Sequence, residues 1–95
     1  MIKVVAKHLI KEGHTEDVLK VFRELVAETR KEDGCIAYGV HQKIEDPLVL
    51  TMLEEWESME HLKAHMKTAH FVTLIPKTEA FYSAETEIDI YEPVV

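Results

Sequence analysis

The chain has 95 residues, enough for one small domain, and a formal net charge of −7. That acidic balance disfavours nucleic-acid backbones and acidic membrane faces as partners, and no apolar run approaches a membrane span. A domain of this size buries a limited core, so pairing with a second copy is expected to help it.

The single Cys35 cannot form an internal disulfide, and the opening MIKVVAKHLIK is broken by lysines rather than built as a signal peptide. Both point to the reducing cytoplasm. A lone cysteine beside Gly34 at the start of a strand reads as packing rather than as a nucleophile.

Residues 2–11 alternate. Ile2, Val4, Ala6, His8 and Ile10 share one face, and Lys3, Val5, Lys7, Leu9 and Lys11 share the other. This predicts a strand whose second face is half apolar. Gly13 breaks it, and Thr15, followed by Glu16 and Asp17, suits a helix start. Val18, Phe22, Leu25, Val26 and Thr29 recur at helical spacing, and Arg30 and Lys31 fit the negative end. The helix is expected over 15–32, stopped by Gly34.

A second strand is predicted over 36–44, a tight connection through Pro47, and a third strand over 49–56, together an antiparallel hairpin. Ser58 is placed to cap a helix carrying Leu62, His65 and Met66 on one face. The helical pattern weakens at Lys67-Thr68 and resumes through Phe71, Leu74, Ile75, Thr78 and Tyr82, with Pro76 expected to kink it or start a new turn. Residues 84–92 alternate as a fourth strand that ends at Pro93.

The order β-α-β-β-α-β, with its second helical region in two pieces, predicts an α+β, ferredoxin-like single domain over 1–95. Its four-stranded antiparallel sheet would carry helices on one face. Val5 and Leu9 on the other face ask for cover, and a second copy's sheet is the economical answer.

The string W-E-S-x-x-H-L-x-A-H-x-x-T-x-H-F from Trp56 to Phe71 resembles the antibiotic biosynthesis monooxygenase family, and in particular its quinol-monooxygenase-like members. E-D-G-C at 32–35, D-P at 46–47 and Y-E-P-V at 91–94 agree with it. The resemblance implies a homodimer, a dimeric α/β barrel built from two sheets, with a pocket between sheet and helices in each subunit. It implies that His8 and His65 look into that pocket, near Glu54 and Trp56 of the third strand.

Three readings of the histidines follow. His61 and His65, four residues apart, could chelate a metal with His70, Glu54 or His8 as third ligand. The sequence HLKAH lacks the glutamate of H-E-x-x-H, however, and no metal is expected. Heme is disfavoured because the heme-degrading relatives use an asparagine, and this chain has none; no cofactor is expected.

The third reading is acid–base chemistry. A cofactor-independent oxygenase must deprotonate a phenol so that the anion can give an electron to oxygen, and a histidine titrating near neutrality suits that step. His65 is the first candidate base and His8 the second. Trp56, Tyr38, Phe71 and Tyr82 would wall a small aromatic ligand, and Tyr82 could also hydrogen-bond to it.

A structural reading stands beside this one. His65 would tie its helix to a carboxylate such as Glu54, His70 would cap the last helix, and His61 and His14 would be solvated. Two other functions remain in view. A degradative or isomerase-type enzyme acting on a phosphorylated or carbonyl metabolite would want Lys43, Lys67 or Lys77 turned inward. A non-catalytic small-molecule-binding dimer would keep the pocket and lose the chemistry.

Overall fold

The computed structural model describes residues 1–95. The elements run β1 (Ile2–Leu9), α1 (Thr15–Thr29), β2 (Cys35–Gln42), β3 (Val49–Trp56), α2 (Met59–His65), α3 (Ala69–Glu79) and β4 (Glu87–Tyr91). This is the expected order, with the second helical region in two pieces. The sheet is antiparallel throughout, in the order β2-β3-β1-β4. The alternation of β1 holds: Val4, Ala6, His8 and Ile10 are buried, while Lys3 is exposed and Val5, Lys7 and Leu9 are half-buried on the opposite face. The helices cover the first face, where Phe22 and Leu25 of α1 pack with Met52 and Trp56 of β3 and Leu74 of α3.

Several boundaries differ from expectation, each for a local reason. Thr15 is the first helical residue rather than the cap; His14 holds the cap position and uses its Nδ1 on Asp17 Oδ2 at 3.0 Å. The first helix ends at Thr29 and not at residue 32. Arg30 turns aside to donate from Nε to the Tyr38 carbonyl at 2.9 Å, and the Lys31 and Glu32 amides close tight turns onto Glu28 and Thr29. Gly34, with φ +79°, then reverses the chain into β2. β1 stops at Leu9, with Ile10 only bridging to Tyr82, and β4 begins at Glu87 because residues 84–86 leave the ladder.

Ser58 and Thr68 cap α2 and α3, their hydroxyls accepting from the His61 and Phe71 amides. His70 is therefore not the cap of the last helix. Pro76 lies inside α3 without ending it. No helix is long and apolar enough to cross a membrane.

Candidate functional site

Between the helix-covered face of the sheet and α2–α3 lies a cavity of about 590 Å³. Val4, Ala6 and Met52 form its floor, and Leu62, Met66, Phe71 and Ile75 its helical wall. Ile88 and Ile90 of β4 stand at its mouth, on the same side of the sheet as their partners Ala6 and Val4. A space of this size and character suits a small aromatic molecule.

Six of the seven residues singled out from the sequence line this cavity: His8, Tyr38, Glu54, His65, Phe71 and Tyr82. Trp56 does not. It is fully buried behind His65, with ring centroids 4.7 Å apart. Tyr38 at 5.3 Å and Phe71 at 4.9 Å, both edge-on, complete an aromatic collar around the His65 imidazole. Period places Trp56 on the inward face of β3, but it cannot tell a wall from the layer behind it.

The carboxylate partner of His65 is Glu32, not Glu54. His65 Nδ1 lies 2.7 Å from Glu32 Oε2, and His70 Nε2 lies 2.7 Å from the same oxygen. Glu54 is occupied elsewhere: its Oε1 accepts from the Trp56 indole N–H at 2.9 Å. The three-residue break between α2 and α3 makes the convergence possible. Five residues along one continuous helix would put His65 and His70 some 140° apart around the axis. The break at Met66–Thr68, tied down by Thr68 Oγ1 donating to the His65 carbonyl, turns both rings onto one oxygen.

Glu32 was not identified by sequence reasoning. Its one signal was its place in E-D-G-C, two residues before a glycine that must adopt positive φ.

Among groups with metal-ligating atoms, Glu32, His65 and His70 bring theirs within 4.8 Å of one another. Tetrahedral ligands at about 2.0 Å from a zinc ion stand about 3.3 Å apart. The two 2.7 Å contacts would have to open by roughly half an ångström to hold such an ion. His61 and His65 do not converge, because His61 Nδ1 meets Ser58 Oγ and its Nε2 faces Asp33. His61 is also less solvated than expected, being tucked beneath Gly34.

Burial dominates the electrostatics. It lowers the His65 pKa, against an opposing hydrogen bond and charge from Glu32, so the ring is neutral near pH 7. Burial takes His8 down to about 4; its Nδ1 meets Thr86 Oγ1 at 2.9 Å and its ring packs on Phe22 and Tyr82. Glu54 is pushed up to about 7 by burial, with the Trp56 hydrogen bond opposing and the Glu32 charge adding to the rise. Burial also raises Tyr38 and Tyr82, which stay protonated, and the Tyr82 hydroxyl lies 2.6 Å from Thr78 Oγ1. The Cys35 thiol is raised by burial and by Glu32 and Glu54, which suits packing and not nucleophilic attack.

An imidazole and a carboxyl that ionises near neutrality, set in a largely apolar wall, can move one proton at a time. A family model described as antibiotic biosynthesis monooxygenase matches residues 1–77. The chain is 35% identical over 80 residues to an Escherichia coli (strain K12) protein named "Probable quinol monooxygenase YgiN", covering 74% of this chain and 77% of that one. Among solved structures, a conserved protein from Methanosarcina mazei Go1 is 42% identical at a TM-score of 0.93, over 95% of this chain and 89% of its own. A structure described as an antibiotic biosynthesis monooxygenase is 34% identical at a TM-score of 0.95, with both chains covered in full. With the family model spanning most of its length and the same fold in these relatives, the chain belongs to the antibiotic biosynthesis monooxygenase family.

Proposed function

We propose that the chain is a cofactor-independent monooxygenase that oxidises a small aromatic quinol or anthrone-like substrate with molecular oxygen. The observation that carries this reading is the His65 imidazole set in the wall of an apolar cavity among aromatic rings.

His65 removes the phenolic proton, and the resulting anion gives an electron to oxygen far more readily than the neutral phenol does. The radical pair combines into a carbon-bound peroxide. At an anthrone-type carbon, loss of water then leaves one oxygen atom in the new carbonyl and the other in water. The largely apolar wall limits the contact of the intermediate with bulk solvent. In this reading His8, neutral across the physiological range, and the Tyr82 hydroxyl, both on the cavity wall, hydrogen-bond to the guest.

The wall also speaks against the phosphorylated-metabolite alternative. It contains Glu54, Glu79 and Glu85 but no lysine or arginine, so a phosphate would meet carboxylates with no cation to offset them. Lys43, Lys67 and Lys77 are not among the lining residues. The same proposal includes a homodimer formed through the open sheet face and, given the free Cys35, a reducing, cytoplasmic setting.

The test is oxygen uptake by metal-free protein, with catalase present, over a panel of reduced naphthoquinones and anthrones. Uptake above the spontaneous rate that disappears in His65→Ala is expected. Uptake retained in the variant would remove His65 as the base, and no uptake with any member of the panel would overturn the oxygenase reading for these substrates.

A further inference from the structure

We propose that Glu32 is the positioning residue of this site: it fixes His65 as the Nδ1–H tautomer, leaving Nε2 as the proton-accepting atom presented to the cavity. This deepens, and rests on, the reading of His65 as the base.

Glu32 is not part of the cavity wall, whereas His65 is. The imidazole edge that meets Glu32 Oε2 at 2.7 Å therefore points away from the guest, and the opposite edge, which carries Nε2, points toward it. A carboxylate only accepts, so with Glu32 in that form Nδ1 holds the proton and Nε2 the free lone pair. Nε2 makes no hydrogen bond within the protein, and the surrounding rings of Trp56, Tyr38 and Phe71 hold the imidazole plane.

Glu32 is itself held. His70 Nε2, at the start of α3, lies 2.7 Å from the same Oε2, and Gly34 anchors the turn against His61 of α2. The carboxylate is thus clamped by both helices whose meeting point forms the cavity wall. When His65 takes a proton at Nε2, the imidazolium forms against a fixed negative charge and no group has to move to meet it.

The charged and titratable groups facing His65 are Glu32 from the α1–β2 turn, His70 from α3, Tyr38 from β2, and Glu54 from β3 beyond Trp56. Of these, Glu32 alone brings a carboxyl oxygen within hydrogen-bond distance of the ring.

Ring-nitrogen NMR of the full-length protein, with labelled histidine, tests this without any substrate. Wild-type His65 is expected as the Nδ1–H form. Finding it as the Nε2–H form would overturn the proposal, and that measurement requires no variant to fold. In Glu32→Gln, nearly the same shape without the charge, the His65 titration midpoint is expected to fall; an unchanged midpoint would overturn the charge-stabilising role. With an active substrate, Glu32→Gln is expected to lower kcat by at least about tenfold with KM nearly kept, while Glu32→Asp recovers part of the loss. A KM effect alone would show a merely structural residue. If no substrate is turned over, the proposed activity fails while the NMR result still decides the role of Glu32.

Discussion

Glu54 and His8 are two buried titratable residues whose burial acts in opposite directions. Glu54 ionises near pH 7 while accepting from the indole N–H of Trp56, the chain's only tryptophan. Tryptophan fluorescence should therefore titrate with a midpoint near 7, and that transition should be absent in Glu54→Gln. A midpoint left in place by the substitution would assign it to another group. His8 has its pKa lowered from 6.5 to about 4, so the unfolded chain binds more protons between those values. Its contribution to stability is full above the unfolded value and is lost as pH falls toward 4. Glu54 works the other way, because its raised pKa favours the folded state at low pH and that contribution is lost as pH rises through 7. Comparing the parent with His8→Leu cancels the Glu54 part. Between about pH 7 and about pH 5 the variant is expected to lose about 2 kcal/mol less than the parent, read from urea midpoints. The sequence pointed to both residues through the period of β1 and β3. It could not show that His65 takes Glu32, because that pairing joins positions 33 residues apart and depends on where the turn after α1 lands.

The elements themselves were readable wherever local chemistry decides. Ser58 and Thr68 mark two helix starts, and the weak stretch at Lys67-Thr68 marks a true break. Arg30 and Lys31 suit a helix terminus, but the Tyr38 carbonyl, a tertiary partner, turns the chain aside earlier and α1 ends at Thr29. The two positive-φ glycines separate local from tertiary cost. A side chain at Gly13 would meet open space, whereas a Cβ at Gly34 would overlap the His61 ring. Gly13→Ala should cost about 1–2 kcal/mol, the strain of the left-handed backbone alone. Gly34→Ala should cost clearly more and should disturb the His65 ring resonances; equal losses in thermal unfolding would show that the turn over α2 is loosely packed.

At the scale of the molecule, one face of the sheet has no helix over it. Val5, Leu53 and Ile36, the last two 43% and 50% exposed, border a shallow depression there, flanked by the Lys3–Glu55 pair at 3.2 Å. The mixed face of β1 announced this surface in the sequence. A second copy docked on it would bury these side chains. Sedimentation should give twice the 11.0 kDa chain mass for the parent and the single mass for Leu53→Glu. A parent that sediments as a monomer would leave the face exposed and remove the dimer.

The sheet order leaves β4 at an edge, hydrogen-bonded to β1 alone, with Ile88 61% and Ile90 47% exposed at the mouth of the cavity. Edge pairing with so little cover opens at low free-energy cost. The amides of β4 should therefore exchange with deuterated solvent well ahead of those in β1 and β3. A guest lodged beneath Ile88 and Ile90 would slow that exchange, so the strand's protection factors report occupancy of the cavity even for ligands that undergo no chemistry.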